Sequence, residues 1–247
     1  MGPQVSPYGF ADRLIRLPLR LLPGGAVVSV LSGVNRGRKW IAGASSTNKS
    51  WIGSYERACA DAIQSLVKPG MVVYDIGANV GFYTLAFSRL VGDSGQVFAF
   101  EPESRNAYMI RQHLALNRVK NVTLVQAAIS DRAGLISFEG FNETGKIVDK
   151  SDYRVPSIVL DEFIASGNPL PSFVKMDIEG GELTALTGAQ SILNKADAQW
   201  VLATHSDQLR KDCRAVFASH GYRFASFDGK SDPGDQPDFL ALPATQQ

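Results

Sequence analysis

The run Tyr74-Asp75-Ile76-Gly77-Ala78-Asn79-Val80-Gly81 constrains this chain more than any other segment. It reads as a buried strand that ends in a glycine turn and opens a helix. A second apolar run, Gln96-Val97-Phe98-Ala99-Phe100, ends on the acid Glu101. A glycine-lined turn and a carboxylate on neighbouring strand ends are how doubly wound α/β sheets receive an adenosine group. Gly77 permits a sharp turn with close approach of a ligand, and Gly81 permits the first helical turn to pack close to the sheet. Glu101 can accept two hydrogen bonds from ribose hydroxyls.

The glycine spacing separates the adenosine ligands. A dinucleotide fingerprint needs Gly-x-Gly-x-x-Gly, and here Asn79 takes the third place, so a pyrophosphate loses its close backbone approach. An Asp followed by Gly-x-x-x-Gly is instead the form used by class I methyltransferases for S-adenosylmethionine. A nicotinamide oxidoreductase is disfavoured on the same ground.

From Met71 onward strand and helix patterns alternate: strand Met71–Ile76, helix Val80–Leu90, strand Gln96–Phe100, helix Ser104–Leu116, strand Val122–Gln126. This βαβαβ unit predicts a parallel sheet. After an irregular insert from Arg132 to Val155 the pattern resumes with strand Phe173–Ile178, helix Glu182–Lys195, strand Trp200–Thr204 and helix Ser206–Ser219. Tyr222–Ser226 and Asp238–Leu242 supply a terminal strand pair. Upstream, turn-rich stretches around Gly33–Gly43 and Ala44–Ser50 lead into a helical run, Trp51–Val67. The expected organisation is an N-terminal arm and lead-in over residues 1–50 and one α/β domain over residues 51–247.

Composition fits one large domain: 247 residues with 45% hydrophobic content can bury a substantial core. The formal net charge of +1 is unevenly spread, since residues 1–40 carry six basic residues against Asp12, a net of +5, leaving −4 for the remainder. The main domain therefore lacks the charge surplus of a nucleic-acid-binding face. It also lacks the Asn/Asp-Pro-Pro-aromatic run and the Pro-Cys nucleophile of base-modifying enzymes, so no nucleic-acid partner is expected. The segment Phe10–Leu22, with Arg13, Arg16 and Arg20 on one side and Pro18 interrupting it, has the pattern of a basic arm for docking or peripheral membrane contact. Cys59 and Cys213 lie far apart without metal spacing, the start lacks a secretory pattern, and no run approaches the roughly 18 apolar residues of a membrane span. A reduced, cytoplasmic protein is the expectation.

A second informative run is Lys175-Met176-Asp177-Ile178-Glu179-Gly180-Gly181-Glu182. In a strand buried on both faces charge is expensive, so ionisable residues should gather where the strand leaves the core. Lys175, Asp177 and Glu179 alternate onto one face at that end, which is the ligand-holding rim of an open α/β sheet. His205 follows the next strand at the matching end. A hydroxyl is a poor nucleophile until a base takes its proton, and His205 or Asp177 suits that work. The plainer alternatives are that Lys175 neutralises Asp177, that Glu182 caps a helix and that His205 does the same. Asp177, Glu179 and His205 would also suit a divalent ion if their side chains converge.

Together Asp75-Ile-Gly-Ala-Asn-Val-Gly81, Phe100-Glu101-Pro102, Ala128-Ile-Ser130-Asp131, Leu160-Asp161 and Lys175-Met-Asp-Ile-Glu-Gly180 resemble the ordered motif set of FkbM-type methyltransferases. Trp51-Ile-Gly-Ser-Tyr-Glu56 and Leu202-Ala-Thr-His205 are similar to one branch of that family. The resemblance implies a class I, Rossmann-like, doubly wound and mostly parallel seven-stranded sheet with an N-terminal extension. It implies S-adenosylmethionine as cofactor and methyl transfer to a hydroxyl of a sugar, polyketide or other small molecule. Asp75, Gly77 and Asn79 would then line the methionine tail, Glu101 the ribose, and Ser130 with Asp131 the adenine edge. Pro102, Gly81 and Asp177 complete the expected cofactor site, and Asp177, His205 and Lys175 the catalytic set. Acceptor contacts are expected from the arm and from the polar insert with Glu143, Lys146, Asp149, Lys150 and Asp152. A catalytically silent cofactor-binding scaffold and a nitrogen or macromolecular acceptor are the alternatives.

Overall fold

The computed structural model describes residues 24–140 and 145–244. The chain enters through a hairpin of β1 (Val27–Ser29) and β2 (Lys39–Ile41), followed by α1 (Lys49–Ile52) and α2 (Arg57–Leu66). The expected βαβαβ unit is β3 (Val72–Ile76), α3 (Phe82–Val91), β4 (Gln96–Phe100), α4 (Ser104–Leu116) and β5 (Val122–Val125). Then come β6 (Ala128–Ile129), β7 (Gly134–Glu139), β8 (Lys146–Ile147), β9 (Arg154–Ile158), α5 (Leu160–Ala165) and β10 (Phe173–Met176). The chain closes with α6 (Glu182–Thr187), α7 (Gln190–Lys195), β11 (Gln199–Ala203), α8 (Asp207–Ser219), β12 (Tyr222–Ala225) and β13 (Asp238–Pro243).

Seven strands form the main sheet in the order β12-β13-β11-β10-β3-β4-β5. The five central and β5-side strands pair in parallel, and β13 runs antiparallel between β11 and β12. From β3 the chain moves outward to β5, and it then returns to β10 on the other side. The topological switch point, where open α/β sheets bind their ligands, thus lies between β3 and β10.

Side-chain alternation divides the core between the two sheet faces. Val73, Val97, Phe173 and Val201 join one cluster with Leu85, Phe87 and Ile63. Their neighbours Tyr74, Phe98, Val174 and Trp200 join the other with Leu186, Leu193 and Phe217. Strands buried on both faces explain why the sequence shows continuous apolar runs there.

Three parts of the sequence reading change. The irregular insert is ordered around a four-stranded sheet, β6-β9-β7-β8, with its own small core of Ala128, Ile136, Phe138 and Val155. Two expected long helices are each divided: Trp51–Val67 at Gly53, which is left-handed (φ +89°) with no room for a Cβ against the Ser32 carbonyl, and Glu182–Lys195 at Gly188. Residue 50 is also not a packing boundary, because Val30, Val34, Trp40 and Ala44 of the lead-in share a cluster with α2, α3 and the sheet. The basic arm, Phe10–Leu22, lies outside the described residues. Among the described residues no helix is long and apolar enough to cross a membrane.

His113 on α4 ties the lead-in to the domain. Its ring stacks on buried Trp40 with centroids 4.0 Å apart, and its Nε2 accepts from the Ile41 N–H at 3.1 Å. Nδ1 must then carry the proton, which it donates to the Val80 carbonyl at 2.8 Å. Burial holds the imidazole neutral, moving its pKa from the usual 6.5 to about 4. The unfolded chain therefore takes up this proton first: the contribution of His113 is full above pH 6.5 and is lost as the pH falls toward 4. The loss amounts to about 3 kcal/mol across that window. Urea melts of the wild type on either side of the window should show it, and His113→Gln should lack this share of the acid destabilisation. An identical acid limb in both proteins would rule out the assignment.

Candidate active site

The first turn is built around Gly77. Its φ is +79°, and a Cβ there would stand 1.9 Å from the Asp177 carbonyl, so no other residue fits without moving the neighbouring strand end. The amides of Gly77 and Ala78 both donate to the Phe100 carbonyl at 3.0 Å, which holds the turn over β4. Asn79 is left-handed (φ +50°), and its amide donates to Glu101 Oε2 at 2.8 Å. Glu101 Oε1 accepts from the Glu103 amide at 2.9 Å. Burial pushes the Glu101 carboxyl up to about 8, while these two amides pull against that shift.

The resulting cleft opens to solvent, with about 960 Å³ of atom-free space when its mouth is included. Gly77, Asn79, Glu101, Pro102, Lys175 and Asp177, all expected site residues, line it. The insert sheet adds Phe138 and Ile147, which carry no signal in the sequence beyond being apolar. Of the expected acceptor contacts in the insert, Lys146, Asp149, Lys150 and Asp152 are absent from this wall, and Glu143 lies outside the described residues.

Four expected cofactor residues stand elsewhere. Asp75 is fully buried beneath the turn, where Oδ2 accepts from the Thr84 hydroxyl at 2.6 Å, so it cannot line the cleft directly. Gly81 begins α3 facing α4, with a Cβ position 3.2 Å from Ile110, so it serves helix–helix packing rather than the sheet or a ligand. Ser130 and Asp131 miss the cleft because β6 pairs with β9 and the Ser130 amide continues onto the Ile158 carbonyl, carrying the chain away. The Ser130 hydroxyl instead donates to Asp131 at 3.1 Å, and Ala127, Ala128 and Ile129 form the wall.

The second run gathers charge at the same rim. Lys175 pairs in register with Asp75, is 5% exposed, and places Nζ 3.3 Å from Asp177 Oδ2. Burial alone would lower its pKa, but Asp177, Asp75 and Glu56 together raise it, so the ammonium is fixed. The strand ends at Met176, and Glu179 reaches the site through a left-handed turn (φ +55°) rather than by alternation.

His205 bridges three carboxylates. Nδ1 lies 3.0 Å from Glu182 Oε1, while Nε2 lies 3.5 Å from Asp177 and 3.4 Å from Glu179. Glu182 is fully buried, and the same oxygen accepts from the Ile178 and Gly180 amides at 3.2 Å. It orients the histidine and the turn together, more than the helix cap its position suggests. The hydrogen bond to Glu182 raises the imidazole pKa to about 9, with the other two carboxylates adding to it. The three carboxylates thus favour the doubly protonated, cationic ring. Asp177, Glu179 and His205 offer ligand atoms within 4.8 Å of one another, so their side chains do converge. They are paired among themselves with the Lys175 ammonium alongside, and a divalent ion there would have to displace the Nε2 proton.

A second cavity of about 780 Å³ opens beside the cleft and shares Tyr55, Asn79, Lys175, Asp177 and Glu179 with it. Its further wall includes Glu56, His205, Phe227 and Asp238. Asp238 reaches this rim because β13 is antiparallel to β11: its first residue pairs with Ala203, the last of β11. The sequence gives no sign of that placement, whereas Glu56 ends one of the resembling segments. Five non-glycine residues among the described residues have positive φ, and Glu56, Asn79 and Glu179 of the two cavity walls are three of them. Such strain concentrates where side chains are held for function.

A profile of the methyltransferase FkbM domain matches residues 75–224. The chain is 30% identical over 132 residues to the hexuronic acid methyltransferase AglP of Haloferax volcanii, covering 51% of this chain and 53% of that protein. It is 25% identical over 175 residues to the 31-O-demethyl-FK506 methyltransferase FkbM of Streptomyces tacrolimicus, covering 54% of this chain and 63% of that one. The chain thus spans between half and two thirds of these relatives. The crystal structure of methyltransferase FkbM from Methylobacillus flagellatus KT superposes with a TM-score of 0.53 at 16% identity, over 80% of this chain and 55% of its own. That likeness shows the fold.

The His205 arrangement predicts a specific titration. Imidazole ¹⁵N NMR should find both nitrogens protonated at neutral pH and an apparent pKa near 9, and Glu182→Gln should move it down toward the ordinary 6.5. A neutral imidazole at pH 7 in the wild type would contradict the assignment.

Proposed function

The chain belongs to the FkbM methyltransferase family, and on that premise we propose that it transfers a methyl group from S-adenosylmethionine to a hydroxyl of a sugar-like small molecule. The carrying observation is the meeting of the two cavities at Asn79, Lys175, Asp177 and Glu179, beside the contact between Gly77 and the Asp177 carbonyl at the switch point. A donor in one cavity and an acceptor in the other would face each other across that wall. The sugar-like acceptor is supported by the hexuronic acid methyltransferase among the relatives in respect of the hydroxylated ring alone, not of its carboxylate.

The cleft residues fit the cofactor. Asn79 Oδ1 is buried without a hydrogen-bond partner, as suits an acceptor for the ammonium of a methionine tail. Glu101 stands in the cleft wall, its carboxylate held in place by the Asn79 and Glu103 amides and by the Asn106 side chain, as suits a carboxylate that receives a ribose diol. Ile129, Phe138 and Ile147 offer apolar walls for a flat ring. When bound, the cofactor supplies a methyl group activated by the sulfonium. The protein aligns the two reactants, which is a large part of what such a reaction needs. Asp177 accepts the hydroxyl proton. His205, held by Glu182, and Lys175 fix the carboxylate orientation and stabilise its charge.

Calorimetric titration with S-adenosylmethionine, S-adenosylhomocysteine and NAD tests the donor: binding of both sulfur compounds and none of NAD is expected. Because the bound diol needs an ionised Glu101, S-adenosylhomocysteine affinity should rise as the pH approaches about 8 and then level off. Glu101→Gln should flatten that dependence, and Glu101→Ala should cost about 1–3 kcal/mol of binding. Unchanged affinity in both would remove Glu101 from the site. Asp177→Asn should lower turnover by about 100-fold while changing cofactor affinity far less. A near-normal rate would exclude it as the proton acceptor.

A further inference from the structure

The second cavity has a chemical bias of its own. Four carboxylates line it, Glu56, Asp177, Glu179 and Asp238, against two cations, Lys175 and His205. Both cations already face acids: Lys175 lies 3.3 Å from Asp177 and feels Asp75 and Glu56, and His205 contacts Glu182, Asp177 and Glu179. Glu182 stands behind His205, fully buried, with Oε2 lacking any hydrogen-bond partner, so negative charge is in surplus behind the wall as well. Glu56 and Asp238 form no ion pair among the described residues. Glu56 Oε2 accepts from the Tyr83 hydroxyl at 2.8 Å, which fixes its direction. Asp238 is half-buried, and burial with the like charges of Asp177 and Glu56 raises its pKa, against the smaller opposing pull of Lys175 and His205. Tyr55 and Phe227 contribute aromatic surface to the same cavity.

We propose that this cavity takes a polyhydroxylated acceptor that is uncharged or carries an amine, and excludes acceptors bearing a carboxylate or a phosphate. The inference rests on the proposed methyl transfer for its meaning, since the cavity adjoins the donor cleft. Carboxylates that outnumber the cations beside them accept hydrogen bonds from hydroxyl and ammonium donors. An anionic acceptor brings no donor in its charged group and meets like charge in a partly desolvated site, where juxtaposed like charges are strongly unfavourable. The aromatic rings offer the apolar face of a sugar ring a surface, so orientation would come from the acids and contact area from Tyr55 and Phe227.

Saturation-transfer difference NMR with methyl β-glucoside, glucosamine and glucuronate, each with and without S-adenosylhomocysteine, tests this. The first two should bind at least about tenfold more tightly than glucuronate, as expected for like-charge repulsion. The double variant Glu56→Gln, Asp238→Asn should largely erase that difference, with circular dichroism confirming the fold. Should the double variant unfold, each single substitution should narrow the difference. Equal or tighter glucuronate binding, or no binding of any of the three sugars, overturns the inference. Failure of S-adenosylhomocysteine to bind, with the charge preference intact, would instead remove the proposed reaction and leave the cavity's selectivity standing.

Discussion

One ammonium group, Lys175 Nζ, conditions the rest of the rim. It sits on a central strand at 5% exposure, where an unpaired charge would be prohibitive. It is tolerated because buried Asp75 acts on it as an opposite charge, Asp177 lies 3.3 Å away and the Tyr83 ring stands 5.0 Å from it. Each partner depends on it in return. Asp75 is fully buried with Oδ1 unpaired, and without Lys175 its charge would have only the Thr84 hydroxyl for compensation. Breaking such a set by removing one member costs far more than the set contributes as a whole. The first run of the sequence and the second are thus coupled electrostatically inside the sheet before either meets a ligand.

Backbone contact couples them a second time. Gly77 has no space for a side chain because the Asp177 carbonyl occupies it. The turn that carries Asn79 and the strand end that carries Asp177 therefore move as one unit. The left-handed residues Asn79 and Glu179 on either side of that contact, with Glu56 across the second cavity, give the rim geometry that regular strands could not supply. A rigid sheet beneath and strained turns above is a sound basis for aligning two reactants.

Much of this was legible in the sequence for identifiable reasons. The apolar runs of β3, β4, β10 and β11 mark strands buried on both faces, and the ionisable residues that follow three of them, Glu101, Asp177 and His205, mark the rim. Gly77, Asn79, Glu101, Pro102 and Asp177 stand in the cleft wall because strand ends in a parallel sheet share one edge. Asp75 is set beneath the turn instead of in the cleft wall, beside Lys175, because strand alternation buries it there. Ser130 and Asp131 stand outside the cleft wall, and nothing local reveals that β6 would join the insert sheet. Glu182 reads as an ordinary helix cap until the fold sets His205 beside it.

By itself the sequence determined the order of strands and helices, the glycine turn and the gathering of ionisable residues at one edge, because these follow from periodicity and from the cost of burying charge. Only the tertiary structure decided which charges pair, that His205 is a held cation, and that Glu56 and Asp238 complete the second cavity. Those outcomes depend on distances between segments far apart in the chain. Asp238 arrives by the reversal of β13, and Glu56 by the left-handed turn ahead of α2 and the hydrogen bond from Tyr83, 27 residues away in the chain.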